Sequence, residues 1–320
     1  MMMKKVLITN AVPNDALEPL AGLAQVIQGP AGGRLMPRET VLRHASELDG
    51  IINQAELTVD KELLDAAPRL KIVANVAIGV DNLDLDMMAQ RDVWATNVPD
   101  AFVASTADCA FALILNLLRQ INAADRYVRS QQWAADGFQP GIWDGLLLAG
   151  KTLGVIGYGR IGRAVARRAR AFDMTVIYHN STPSTDAAYR ALDDLMTEAD
   201  VITIHTPLTA HTRHLIDAAR LARMKPGAYL INMSRGAVVH EEALARALLD
   251  GAIAGAALDV FEFEPEVHPA LLGMDNVCLT PHIGGGTRES RRAARQLCAR
   301  NIAAVFQGER PITPVNNADP

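Results

Sequence analysis

The sequence predicts an α/β protein with two domains, each built on a doubly wound parallel sheet. Short runs rich in Val and Ile alternate with helix-length segments along almost the whole chain. The runs are continuously apolar rather than alternating, which is typical of parallel strands covered by helices on both faces. With 320 residues, the chain is long enough for two such domains.

The composition excludes several classes of protein. Apolar residues make up 49% and charged residues 21% of the chain, a balance typical of soluble globular proteins, and the net charge of -5 does not indicate a nucleic-acid surface. The cysteines lie far apart without CxxC spacing, so we expect neither disulfides nor a metal site. The N-terminus lacks a secretion signal, and the apolar stretch 109–118 is too short to span a bilayer. We therefore expect a cytoplasmic protein with no membrane partner.

The predicted strands are apolar runs bounded by Gly, Pro or polar clusters. In chain order they are residues 5–9, 50–53, 70–75, 152–156, 175–178, 201–204, 229–232, 254–258 and 277–280.

A long interruption of this pattern predicts the domain division. Between Asp100 and Gly150 the sequence shows no strand, only a helical stretch at 105–127 and an irregular segment that contains Trp133 and Trp143. The last helix, at 287–307, follows the final strand and is expected to pack back on the first domain. The predicted domains are a discontinuous substrate-binding domain, 1–99 with 287–320, and a dinucleotide-binding domain, 100–286.

A glycine-rich turn follows the strand at 152–156 and reads Gly157-Tyr158-Gly159-Arg160-Ile161-Gly162. Gly157 permits a tight turn, Gly159 lets a pyrophosphate approach the backbone, and Gly162 allows the next helix to pack closely on the strand. The phosphates of the dinucleotide would then lie at the helix N-terminus. Such a motif is weak alone, but the strand before it, the helix after it and the next strand all support a Rossmann fold.

The second strand of this fold leads into the sequence VIYHNST, which has no acid where Rossmann folds usually place one. That acid binds the ribose hydroxyls of NAD and would repel the 2′-phosphate of NADP. His179, Asn180, Ser181 and Thr182 can instead donate hydrogen bonds to phosphate oxygens. We therefore predict that NADPH is preferred, with NADH possible. The alternative is a solvated loop that tolerates either cofactor, because no arginine stands in this stretch.

Arg235 follows the strand at 229–232, where open α/β sheets bind their ligands. Its guanidinium can bind a carboxylate through two parallel hydrogen bonds. The alternative is a surface salt bridge.

Two further strand ends carry residues that can exchange protons. Asp259 and Glu264 follow the strand at 254–258, and His282 follows the strand at 277–280 in the sequence LTPHIGGGT. A glutamate beside the histidine would favour the imidazolium form, which makes His282 a candidate proton donor to a carbonyl oxygen. Taken singly, the acids could equally be exposed loop residues and the histidine a packed or surface residue.

Several motifs resemble those of the D-isomer-specific 2-hydroxyacid dehydrogenases, with the glyoxylate/hydroxypyruvate reductases most similar. The resemblance runs from near the N-terminus to about Pro314. It is carried by GYGRIGRAVARRARAF, HTPLTAHTRHLI, MKPGAYLINMSRGAVV, AALDVFEFEP and LTPHIGGGT. It implies a Rossmann cofactor domain and a flavodoxin-like substrate domain. The sequence departs from the usual pattern at Gly285 and Gly286, where relatives have Ser-Ala.

The resemblance also implies roles for particular residues. Arg235 would bind the substrate carboxylate and polarise the carbonyl, Glu264 would hold His282, and His282 would protonate the alkoxide as hydride arrives from the nicotinamide. Backbone N–H groups at Ile78 and Gly79 would bind the substrate carboxylate. Beyond the glycine-rich turn and the VIYHNST stretch, further cofactor contacts are expected at Thr106, Thr206, Pro207, Met233, Asp259, His282 and Gly284.

The expected partners are a small 2-oxo acid and a second copy of the chain, which would form a homodimer through 101–150. Trp143 is placed near the partner's pocket by the same resemblance. A non-catalytic alternative remains open, because nucleotide-sensing corepressors share this fold and can keep these residues. The sequence does not specify which 2-oxo acid is reduced.

Overall fold

The computed structural model describes residues 3–54 and 56–318. The chain forms two compact units, one made of Met1–Phe102 with Gly286–Pro320 and the other of Val103–Gly285. The predicted boundaries were 99/100 and 286/287.

The first unit contains a five-stranded sheet in the order β2-β1-β3-β4-β5, and every pairing is parallel. This is the flavodoxin-like order, so the predicted fold class is confirmed for this unit. The strands are β1 Lys4–Ile8, β2 Ala24–Gln28, β3 Gly50–Asn53, β4 Ile72–Asn75 and β5 Trp94–Thr96, and the helices before β5 are α1 Arg38–His44, α2 Lys61–Ala66 and α3 Leu85–Gln90.

Both edge strands of this sheet were missed by the sequence prediction. β2 reads AQVIQ, in which two glutamines interrupt the apolar run, and none of its residues is fully buried. β5 reads WAT and is only three residues long, although all three are buried. Edge strands pair on one side only and can therefore be short or polar, which weakens the pattern on which the prediction depends.

The second unit contains a six-stranded sheet in the order β11-β10-β9-β8-β6-β7, again all parallel. The strands are β6 Thr152–Ile156, β7 Thr175–His179, β8 Val201–Ile204, β9 Tyr229–Asn232, β10 Gly255–Leu258 and β11 Val277–Leu279. An isolated parallel bridge between Tyr178 and Tyr189 lies beyond β7. It occupies the position of the third strand in the Rossmann order, so the predicted Rossmann fold is confirmed with one strand reduced to a bridge.

Apolar clusters cover both faces of this sheet. The helices that contribute to these clusters are α4 Val103–Leu118, α7 Arg160–Ala171, α8 Leu192–Glu198, α9 Ala218–Leu221 and α10 Glu241–Leu249. Two further helices, α5 Ile121–Arg129 and α6 Gln132–Asp136, have no buried residues.

The helix predicted at 105–127 is two helices, because the chain breaks between α4 and α5. Gln120 has a left-handed backbone, with φ of 53°. The carbonyl of Leu118 accepts a hydrogen bond from the N–H of Leu146 at 2.9 Å, and the side chain of Asn116 accepts from the N–H of Asn122 at 2.9 Å. Both groups therefore have partners outside a continuous helical ladder. The sequence pattern does not reveal these contacts.

The segment that follows the break exposes several large apolar side chains. Trp143 packs against Tyr127 with ring centroids 5.3 Å apart. Clustered apolar exposure is typical of protein–protein contact surfaces. The homodimer through 101–150 stays a prediction. The exposed side chains are Ile121, Val128, Trp133, Phe138, Ile142 and Leu147.

The last helix, α11 Arg288–Phe306, belongs to the first unit. Thr287 precedes it, and the Thr287 side chain accepts a hydrogen bond from the N–H of Ser290 at 3.1 Å, which caps the helix. Cys298 and Ile302 are buried in the core beside β1 and β4. Across the described residues, none of the helices is both long enough and apolar enough to cross a membrane.

Candidate active site

The glycine-rich turn between β6 and α7 requires glycine at two positions for steric reasons. Gly157 has φ of +90°, and a Cβ there would lie 2.7 Å from the backbone nitrogen of Thr206. A Cβ on Gly162 would lie 2.2 Å from the carbonyl oxygen of Gly157. His205 and Thr206, which follow β8, are therefore placed directly against the turn. Pro207 is the next residue, and its predicted contact with the cofactor stays a prediction.

Gly159 differs from both, because a Cβ there would meet nothing within 4 Å. It is the N-cap of α7, a helix of 12 residues that begins at Arg160. The open space beside the free N–H groups and positive dipole end of this helix fits a pyrophosphate. The turn as a whole therefore fits the dinucleotide that the sequence predicts. Ile161 packs against the core below the turn.

The end of β7 is tied to this turn by two hydrogen bonds. The N–H of Gly157 donates to the carbonyl of His179 at 2.9 Å, and the N–H of Tyr158 donates to Oδ1 of Asn180 at 2.7 Å. The side-chain oxygen of Asn180 therefore already accepts a hydrogen bond, and the side-chain NH₂ group remains as a donor for a ligand. Within the described chain, the side chains of Ser181 and Thr182 are exposed and make no hydrogen bond. The Tyr158 ring stacks on Tyr178 at 4.2 Å.

In the interior of the same sheet, the loop that follows the carboxyl end of β9 is organised by Asn232. Its Nδ2 donates to the carbonyl of Arg235 at 3.0 Å, and its Oδ1 accepts from the N–H of Ser234 at 3.1 Å. Arg235 is half-buried at this strand end. The sequence prediction missed Asn232, although a polar residue that closes a buried strand was a usable signal.

The loops after β9 and β10 approach each other closely at Gly236. A Cβ on Gly236 would lie 1.8 Å from the backbone carbon of Phe261, so only glycine fits. This contact brings the Arg235 loop beside the loop that carries Glu264.

Asp259 is a buried anchor for the loop that carries His282. Its Oδ1 accepts from Thr280 Oγ1 at 2.6 Å and from the N–H of Ile283 at 2.8 Å, and its Oδ2 accepts from the N–H of Gly284 at 2.7 Å. The Asp259 carbonyl also accepts from the N–H of His282 at 2.9 Å. The carboxylate therefore has a structural role, and its predicted contact with the cofactor carboxamide stays a prediction.

His282 and Glu264 are brought together as a hydrogen-bonded pair. Nδ1 of His282 lies 3.0 Å from Oε2 of Glu264, and because a carboxylate only accepts, Nδ1 carries the proton. The other oxygen, Oε1, accepts from the N–H of Phe261 at 3.0 Å. The ring is half exposed, with Nε2 at its far side. His282 has a left-handed backbone with φ of 52°, a strained conformation of the kind that clusters at functional sites.

The electrostatics of the pair favour an ionised Glu264. Burial raises the pKa of this carboxyl, but its hydrogen bond to His282, the charge of His282, the N–H of Phe261 and the charge of Arg235 together lower the pKa below its usual range. Glu264 therefore stays a carboxylate and holds the ring proton on Nδ1. Arg235 lies on the neighbouring loop, which contacts the Glu264 loop at Gly236.

Gly284 lies close to three other residues that are predicted to contact the cofactor. A Cβ on this glycine would lie 3.0 Å from Oδ2 of Asp259, 3.0 Å from Cε of Met233 and 3.5 Å from Cγ2 of Thr106. Thr106 lies in the first turns of α4, and Met233 directly follows β9. These side chains from three elements form one continuous wall next to the His282 loop.

Ile78 and Gly79 lie in the first unit, in the loop after β4. The carbonyl of Ile78 accepts from Asn97 Nδ2 at 2.8 Å, and that of Gly79 accepts from Asn75 Nδ2 at 3.0 Å. Within the described residues, the N–H groups of Ile78 and Gly79 have no hydrogen-bond partner. Two asparagines thus hold the loop and leave its donors available, and their binding of a carboxylate stays a prediction.

The described part of the chain contains no group of His, Cys, Asp or Glu residues arranged to hold a metal ion.

Known proteins resemble this chain over almost its whole length. Residues 111–284 match the family described as D-isomer specific 2-hydroxyacid dehydrogenase, NAD binding domain. Glyoxylate reductase of Pyrococcus furiosus is 42% identical over 98% of this chain and 96% of its own length.

Two solved structures are also similar. The NADPH-dependent glyoxylate/hydroxypyruvate reductase of Sinorhizobium meliloti, in complex with NADP and malonate, shares 34% identity, with 98% of this chain and 97% of that chain covered and a TM-score of 0.85. The D-lactate dehydrogenase of Aquifex aeolicus, in complex with NAD and lactic acid, shares 29% identity, with 99% and 100% covered and a TM-score of 0.84.

Proposed function

The chain belongs to the D-isomer specific 2-hydroxyacid dehydrogenases, and we propose from this premise that it reduces glyoxylate, hydroxypyruvate or a similar small 2-oxo acid to the D-2-hydroxy acid, with NADPH preferred over NADH. It is an enzyme of 2-oxo acid reduction that uses a nicotinamide cofactor. The observation that carries the proposal is the His282–Glu264 pair at 3.0 Å, with Arg235 on the loop that contacts the Glu264 loop.

Arg235 binds the substrate carboxylate in this proposal. Its planar guanidinium can form two parallel hydrogen bonds with a carboxylate, and its position after β9 is one where α/β sheets bind ligands. The bonds from Asn232 and the contact at Gly236 hold the Arg235 backbone in place. The same positive charge stabilises the negative charge that develops on the carbonyl oxygen during reduction.

His282 donates the proton. Because Glu264 holds the Nδ1 proton, a protonated ring can release its second proton only from Nε2, toward a carbonyl oxygen. Glu264 remains ionised, so it stabilises the imidazolium before transfer and fixes the ring orientation afterwards. A reduced nicotinamide supplies a hydride when bound.

The glycine-rich turn and the wall formed by Thr106, Met233 and Gly284 would hold the dinucleotide. The preference for NADPH is supported by the residues after β7, where Asn180, Ser181 and Thr182 can donate hydrogen bonds and none of residues 179–182 is an acid that would repel a 2′-phosphate.

The proposal is tested by initial rates with glyoxylate and hydroxypyruvate, with NADPH and NADH in parallel. We expect turnover of at least one acid, and kcat/KM about tenfold higher with NADPH, which corresponds to about 1.4 kcal/mol. Equal rates or faster turnover with NADH would contradict the cofactor preference alone. Absence of turnover across a wider set of 2-oxo acids would contradict the catalytic function and favour a nucleotide-sensing scaffold.

A further inference from the structure

The ring of His179 is held in one orientation at the end of β7. Its Nδ1 lies 3.1 Å from the carbonyl oxygen of Arg190. A carbonyl can only accept, so Nδ1 must carry a proton whether the ring is neutral or charged. This fixes the neutral tautomer, in which Nε2 has a lone pair and no hydrogen.

The far nitrogen of this ring is available for a ligand. Within the described residues, no hydrogen bond is made by Nε2 of His179. His179 is also next to the dinucleotide turn, because its carbonyl accepts from the N–H of Gly157 at 2.9 Å. Rossmann folds place the group that contacts the ribose 2′ position at this strand end.

We infer that His179 selects between the two cofactors according to its protonation, an inference that rests on the proposed function. The neutral ring can only accept at Nε2, so it binds the 2′-hydroxyl of NAD(H), which can donate. The protonated ring donates at Nε2 and carries a positive charge, so it binds the 2′-phosphate of NADP(H). One side chain thus replaces the acid of NAD enzymes and the arginine of NADP enzymes, and histidine is the residue that changes charge between about pH 5 and 8.

The nearby guanidinium of Arg190 is already bonded to other groups. Arg190 contributes its carbonyl, while its guanidinium is bonded to Glu198 at 2.8 Å and to the carbonyls of Ala187 and Tyr189 at 2.9 Å. Tyr189 lies with its ring centroid 6.0 Å from that of His179. The elements around the ring carry the following titratable and charged groups: Tyr178 on β7, Asp186, Tyr189 and Arg190 on the following segment, Asp193, Asp194 and Glu198 on α8, and Tyr158, Arg160, Arg163, Arg167, Arg168 and Arg170 on the turn and α7.

The test measures binding rather than turnover, with NADP⁺ and NAD⁺ as the probes. Calorimetry gives Kd for each at about pH 6 and about pH 8, the range in which histidine titrates. We expect the ratio of Kd for NAD⁺ to Kd for NADP⁺ to be about tenfold larger at the lower pH, equivalent to about 1.4 kcal/mol. The 2′-phosphate itself takes up a proton near pH 6, as phosphate monoesters do, which acts in the opposite direction.

Three variants separate these effects. His179→Gln keeps the titration of the phosphate but not that of the ring, so its ratio should be flat or fall as pH decreases. His179→Lys carries a constant charge, so its ratio should be high at both pH values. His44→Gln, in the first unit, removes a histidine bonded to Glu47 and should behave as the wild type.

The inference is wrong if the wild type and His179→Gln show the same dependence on pH, or if His179→Lys binds NADP⁺ no better than His179→Gln. If a variant fails to fold, the wild type alone still tests the inference. A ratio of Kd for NAD⁺ to Kd for NADP⁺ that does not rise at the lower pH contradicts it. Failure of the proposed function is visible separately, as absence of turnover while both cofactors still bind.

Discussion

The two ends of the second sheet that carry chemistry are built differently. The loop after β11 is held by a buried carboxylate, since Asp259 accepts three hydrogen bonds from Thr280, Ile283 and Gly284. The end of β7 is held by two hydrogen bonds to the glycine-rich turn and by the contact of His179 with the carbonyl of Arg190, and it continues into the exposed Ser181 and Thr182. Proton transfer requires a fixed ring, whereas selection of a cofactor requires only that suitable groups be within reach. We therefore expect substitutions in the first region to abolish catalysis and substitutions in the second to shift preference.

The largest effect should come from His282→Gln. Glutamine keeps a polar side chain but cannot transfer a proton from Nε2, so kcat/KM should fall by about 10²- to 10⁴-fold. Cofactor affinity, measured by calorimetry, should change by less than about threefold, or about 0.7 kcal/mol. Turnover close to that of the wild type would show that another group is the proton donor, and the contrast between the two regions would lose its basis.

The second prediction concerns Asp259→Asn, which tests whether the anchor rather than the ring alone makes the first region rigid. Asparagine has one acceptor oxygen, so at least one of the three donors would be left buried without a partner. We expect the free energy of unfolding in urea to fall by about 1–3 kcal/mol and turnover to fall by about tenfold or more.

Asp275→Asn is the matched control, because Asp275 is 93% exposed and pairs with Arg126 at the surface. Its effect on the free energy of unfolding should stay within about 0.5 kcal/mol. Equal effects of the two substitutions would mean that Asp259 is not an anchor.

The same contrast explains what the sequence could predict. Arg235, Glu264 and His282 were identifiable because each follows an apolar strand, and parallel strands bring their carboxyl ends to one edge. The bonds of Asp259 were not identifiable, since its partners lie on the loop after β11, far along the chain. Asn232 bonds within its own loop, and only the backbone geometry of that loop reveals its partners. The break at Gln120 and the strands β2 and β5 were missed for a related reason. Their patterns are short, and contacts from distant residues decide their structure.

The smallest effect should come from replacing the exposed hydroxyls after β7, in the double variant Ser181→Ala with Thr182→Ala. Each hydroxyl can donate one hydrogen bond to a 2′-phosphate, and an exposed bond of this kind contributes about 0.5–1 kcal/mol. We expect kcat/KM with NADPH to fall by about two- to fivefold for each hydroxyl lost. The value of kcat/KM with NADH is the internal control and should not change, because no phosphate is present. A much larger loss, or an equal loss with both cofactors, would mean that these hydroxyls support the turn itself. The end of β7 would then be as constrained as the loop after β11, and cofactor preference could not vary independently of the fold.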